Sequence, residues 1–114
     1  MAYNEKTQAT GLYQITPVCL ADFRQNHDLE VPKWHRINRL TMQDMFDSYF
    51  NWLVASWYLE RRIPEIFKAY RIEDTVENRL IAYSWGISNL RKYLKDEKKL
   101  PKSVKSYLRK YKEK

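Results

Sequence analysis

Apolar residues recur at helical spacing along much of the chain, most densely from Thr41 to Arg62, TMQDMFDSYFNWLVASWYLERR. Within it Met42, Met45, Phe46, Tyr49, Trp52 and Leu53 follow three- and four-residue steps, while Phe50, Val54, Trp57 and Leu59 fill most of the remaining circumference. Such a segment predicts a helix buried at the centre of one small domain. Thr41 is its expected N-cap, Asp44 and Asp47 suit its positive end, and Arg61 and Arg62 suit its negative end before Pro64 stops it.

Weaker patterns flank that run. Thr16-Pro17 supplies an N-cap and a first-turn proline for a helix to about Arg24, with Leu20 and Phe23 inward. Gln25 to Leu40 is polar and broken by Pro32, which predicts a long loop pinned to the core by Trp34. A short helix is expected over Pro64–Tyr70. Asp74-Thr-Val-Glu77 has the form of a capping box and predicts a helix to about Ser84, with Val76, Leu80, Ile81 and Tyr83 as its apolar positions. Gly86 should break it. Ser88 then caps a helix to about Lys98 on Leu90, Tyr93 and Leu94, and Leu100-Pro101 opens a last one on Val104, Leu108 and Tyr111. The expected architecture is mainly α, with little or no β: a flexible lead-in over 1–10 and a single helical domain over 11–114.

Composition narrows the chemistry. Only two glycines in 114 residues argue against a many-turned β-sandwich. The four Trp and nine Tyr suit a core, or a groove that stacks sugars or bases. A single Cys19 cannot form an internal disulfide and reads as a small buried hydrophobe, because His27 and His35 stand at no catalytic spacing to it. These residues form no metal motif and the chain has no glycine-rich phosphate loop, so neither metal nor cofactor is expected. The polar start has no signal-peptide pattern, and no apolar run approaches the roughly 18 residues of a membrane span.

The net charge of +7 is a C-terminal feature: Ser88–Lys114 carries eleven Lys/Arg against three Asp/Glu. Such a tail suits an anionic wall polymer, nucleic acid, a membrane surface or an acidic protein, or is simply a solvated helix face.

Four phrases, in order, resemble the lytic transglycosylase domain of the lysozyme-like superfamily, which cleaves peptidoglycan. Gly11-Leu12-Tyr13-Gln14-Ile15-Thr16-Pro17 is similar to its G-L-M/W-Q-I-T-P phrase. Asp47, Asn51, Ala55, Tyr58 and Leu59 fall at the spacing of its D-x-x-x-N-I-x-x-G-x-x-Y-L helix, with Trp52 for Ile and Ala55 for Gly. Ala82-Tyr83-Ser84-Trp85-Gly86, then Asn89-Leu90, resembles A-Y-N-A-G-P-G-N-V, and Leu100 to Leu108 resembles L-P-x-E-T-x-x-Y-V.

The resemblance implies a lysozyme-like helical fold, a peptidoglycan glycan strand as partner, and substrate contacts from Tyr13, Gln14, Tyr83 and Ser84, the last standing where the family has Asn. The Gln14 amide suits a sugar hydroxyl or N-acetyl group, and Tyr83 suits a cleft edge; the alternative is that Gln14 satisfies loop backbone and Tyr83 is core. In the family the catalytic Glu lies on a helix farther upstream of the G-L-M-Q phrase than the ten residues preceding Gly11. No catalytic residue is therefore expected here. Glu5 is the nearest carboxylate, but a general acid has to be fixed in a structured cleft. Either another chain or an upstream segment then supplies the acid, or the fold is kept as a binding or structural module; a bacteriophage virion, alongside other wall-lytic proteins, would suit each.

A second reading from another class is a small basic helical assembly or nucleic-acid-binding protein. It would use Lys92, Lys95, Lys99, Lys102, Lys105, Arg109 and Lys110, although no recognised nucleic-acid motif is present.

Overall fold

A computed structural model describes residues 3–112, the side chain of Lys112 excepted. The chain gathers into two compact units, Met1–Tyr58 and Leu59–Lys114.

The first unit contains α1 (Pro17–Asn26) and α2 (Ser48–Trp57), with 3-10 turns at Arg36–Arg39 and Gln43–Phe46. Thr16 caps α1 by accepting from the Cys19 N–H at 3.2 Å, and Leu20 and Phe23 are buried as expected. Phe23 meets Trp57 of α2 edge-on, ring centroids 5.3 Å apart, and stacks on His27 at 4.8 Å. These contacts fix α1 on α2.

Three local expectations are corrected in this unit. The helix expected from Thr41 starts at Ser48, because Asp47 Oδ1 accepts from the Tyr49 and Phe50 N–H groups at 2.9 and 3.3 Å. Thr41 and Asp44 instead bond each other around the preceding 3-10 turn. Trp34 is 73% exposed and pins nothing; Ile37 and Leu40 are the buried anchors of the connection, and His27 Nε2 lies 2.6 Å from Asn38 Oδ1 across it. Burial of α2 is also one-sided: Asn51, Val54, Ala55 and Trp57 are buried, whereas Tyr49 and Trp52 stand at the surface. In the described part of residues 1–15, Tyr3 and Thr10 form an isolated antiparallel bridge, as do Thr10 and Ile15.

The second unit contains α3 (Ile63–Tyr70), α4 (Val76–Trp85), α5 (Ile87–Leu94) and α6 (Lys102–Lys112). Pro64 does not stop a helix. It occupies the first turn of α3, where its missing N–H costs nothing, and the α-helical geometry of α2 has already given way to a π-helical turn at Tyr58–Arg62. Arg71 closes α3 in the left-handed conformation, φ 57°. Helix α4 packs against α3, α5 and α6, and Ile63, Phe67, Leu80, Ile81, Leu90, Val104 and Leu108 are buried in this unit.

The cap of α4 is Thr75, whose hydroxyl accepts from the Asn78 N–H at 3.0 Å, one residue later than the capping-box pattern implied. This releases Asp74 to pair with Arg79. Gly86, at φ 98°, both ends α4 and starts α5, so Ser88 lies inside α5 and caps nothing.

Candidate functional site

The phrase Gly11–Pro17 folds as a tight loop in the first unit. Thr10 and Ile15 exchange backbone hydrogen bonds at 2.9 and 3.0 Å, and the Gln14 N–H donates to the Gly11 carbonyl at 3.1 Å inside that closure. Two residues of the loop are left-handed: Gly11 at φ 82° and Gln14 at φ 53°. A glycine accepts this freely, whereas a glutamine there is held against its preference.

What holds the loop is Asn51, fully buried on α2. Its Oδ1 accepts from the Tyr13 N–H at 2.9 Å, and its Nδ2 donates to the Thr10 and Met45 carbonyls at 2.8 and 3.0 Å. One side chain thus ties together the N-terminal loop, the 3-10 turn before α2 and α2 itself. The approach is close enough that a Cβ on Gly11 would stand 2.3 Å from Asn51 Nδ2 and 2.6 Å from the Met45 carbonyl oxygen. Gly11 is therefore required twice, by its dihedral and by its neighbours.

The loop presents Leu12 and Tyr13 to solvent, and Gln14 at the edge of an open groove of about 670 Å³ shared with Tyr3, Asn4, Glu5 and Lys6. Gln14 Nε2 donates to the Gly11 carbonyl at 2.8 Å, so part of the amide is committed to its own loop. Glu5 is exposed in the turn beside it.

Tyr83 and Ser84 lie at the end of α4 in the second unit. Tyr83 is half-buried, and the Ser84 hydroxyl donates back to the Leu80 carbonyl at 2.9 Å. The four expected substrate contacts thus comprise two pairs, Tyr13 with Gln14 on one loop and Tyr83 with Ser84 on one helix end.

Proton chemistry is constrained by the carboxylates. Among the described residues no Asp or Glu is buried. A backbone hydrogen bond from Thr41, then bonds from Arg36 and Thr41, hold Asp44 below the usual carboxylate range; the hydrogen bonds from Arg79 do the same for Asp74. Both shifts run against the requirement of a general acid, which has to keep its proton near neutral pH. Burial, with the Asp22 carboxylate adding to it, pushes the Cys19 thiol up to about 12, so it is no ready nucleophile. No cluster of metal-ligating side chains exists among the described residues.

The family model described as the transglycosylase SLT domain matches residues 1–106. The chain belongs to the transglycosylase SLT domain family. No curated protein and no solved structure matches it. Membership gives the helical chain a lysozyme-like fold and a peptidoglycan lytic transglycosylase-like function, with peptidoglycan as the substrate class. None of its described helices is long and apolar enough to cross a membrane.

Asn51 is the residue that sequence reasoning underused. Its place in the D-x-x-x-N spacing was visible, but its role was not. The available signal was a lone amide among apolar neighbours on a helix expected to be buried, since a buried amide has to be bonded to something specific.

Proposed function

We propose that this SLT-family domain grips the glycan strand of peptidoglycan along the groove beside Gln14, and that its own carboxylates do not cleave the strand. The carrying observation is the Asn51 clamp. It holds Gln14 in a left-handed conformation at the groove edge, and strained residues of this kind are characteristic of binding sites. Tyr3 and Tyr13, both exposed, offer aromatic faces for pyranose stacking next to that amide. The Tyr83 hydroxyl and the Ser84 end of α4 are the contacts proposed for the second unit.

A competent transglycosylase acid would donate a proton to the glycosidic oxygen and then accept one as the muramic 6-hydroxyl closes the 1,6-anhydro ring. Glu5, exposed in a turn, lacks the apolar enclosure that such a role demands. An acid contributed by another segment or chain, as in a virion or a wall-lytic assembly, would complete the site. The grip is tested by co-sedimentation with purified sacculi: Gln14→Ala should weaken retention by about three- to tenfold, as expected for one or two lost hydrogen bonds, with at most the small fall in Tm that loss of the Nε2 bond to the Gly11 carbonyl brings. Unaltered retention of a folded Gln14→Ala protein would remove Gln14 from the site.

A further inference from the structure

In the second unit, the end of α3, the start of α4 and the end of α5 enclose a cleft of about 360 Å³ whose lining includes none of the four proposed glycan contacts. Its lining includes Tyr70, Arg71, Glu73, Arg91, Leu94 and Lys95. The Arg91 guanidinium lies over the Tyr70 ring, 4.1 Å from its centroid, which fixes its plane without consuming its hydrogen-bond donors. Arg71, Arg91 and Lys95 form no ion pair among the described residues, although carboxylates elsewhere in the unit are paired, Asp74 with Arg79 and Glu65 with Arg62. Three cations and one acid thus converge on a cleft with an apolar side formed by Tyr70 and Leu94.

We infer that this cleft binds the terminal carboxylate of a short peptide that also carries an ammonium group, the chemistry of a peptidoglycan stem peptide. The inference rests on the peptidoglycan reading above and extends it from the sugar to the peptide. A planar guanidinium held by an aromatic ring matches a carboxylate in bidentate fashion. Tyr70 and Leu94 suit small apolar side chains beside that carboxylate, and Glu73 answers the ammonium. Glu73 also discriminates: a polyphosphate backbone would meet an anion in the cleft, whereas a zwitterionic peptide meets its complement.

The test is an amide-resolved NMR titration of the full chain with a stem pentapeptide bearing a free C-terminal carboxylate and a side-chain ammonium. Parallel arms use its C-terminal amide, inorganic phosphate, oligothymidylate and peptide-free glycan strands. The free peptide should shift residues 70–73 and 91–95 saturably, and the amidated peptide should bind at least about tenfold more weakly, having lost a charge-assisted contact. Arg91→Gln and, separately, Lys95→Gln should each weaken the free peptide while leaving the amidated peptide and Tm unchanged. Equal affinity for the amidated peptide, or phosphate or oligothymidylate shifting the same residues at equal or lower concentration, would overturn the proposal. Glycan strands that bind while the peptide leaves these residues unmoved would overturn the cleft alone, not the glycan reading.

Discussion

Asn51 and Gly11 carry the local logic of the first unit. Removing the Asn51 amide takes the partner from the Tyr13 N–H and the Met45 carbonyl, and one of two donors from the Thr10 carbonyl, which still accepts from the Ile15 N–H; a buried group left unpartnered costs about 1–3 kcal/mol. Asn51→Leu should therefore lower the stability read by urea denaturation by on the order of 3 kcal/mol, and Gly11→Ala by about 1–3 kcal/mol through strain and contact. Asn51→Asp separates chemistry from size. A carboxylate facing two carbonyls prefers its proton in the folded state, so the folded pKa is raised, and stability present at low pH should be lost as pH rises through it. If Asn51→Asp were as stable as the parent at neutral pH, the clamp would not be what holds the loop. The motif spacing made Gly11 and Asn51 visible in sequence. Their pairing was not, because they are forty residues apart and only the folded chain shows which amide meets which carbonyl.

Helix ends show where sequence patterns succeed and where they slip. Thr16-Pro17 was legible because the cap and the first-turn proline reinforce each other at one position. Thr41 and Asp74 were the expected caps, and in each case a later residue, Asp47 or Thr75, caps the α-helix, while Thr41 bonds Asp44 and Asp74 pairs with Arg79. Asp47→Ala should cost about 1 kcal/mol by thermal or urea unfolding, the usual value of a lost N-cap. Asp74 gives a pH signature. Its folded pKa is depressed by Arg79, so its contribution is present above the unfolded carboxylate range and is lost as pH falls through the folded pKa. The pair is partly exposed and screened, so Asp74→Asn should cost less than about 1 kcal/mol at neutral pH, and the difference from the parent should vanish in acid. A difference that persisted at low pH would show that Asp74 acts through something other than its charge.

At the scale of the molecule, the mainly helical class and the SLT kinship were both legible: the apolar periodicities gave the first and four phrases in order gave the second. The division into two compact units was not. The run from Thr41 to Arg62 is continuous in hydrophobicity, whereas its backbone changes from 3-10 to α at the Asp47 cap and from α to π at Tyr58. The basic excess that dominates Ser88–Lys114 lies in part on α6, whose Val104 and Leu108 are buried while Lys102, Lys105, Arg109 and Lys110 are exposed. That is the arrangement of a solvated amphipathic helix. The proposed reading, glycan binding without cleavage by the chain's own carboxylates, is tested at this scale. The most direct measurement is product analysis of purified peptidoglycan after co-sedimentation with the 114-residue chain alone. The account predicts retention on the wall with no release of 1,6-anhydromuramyl products; such products from the chain alone, or failure to sediment with the wall, would contradict it.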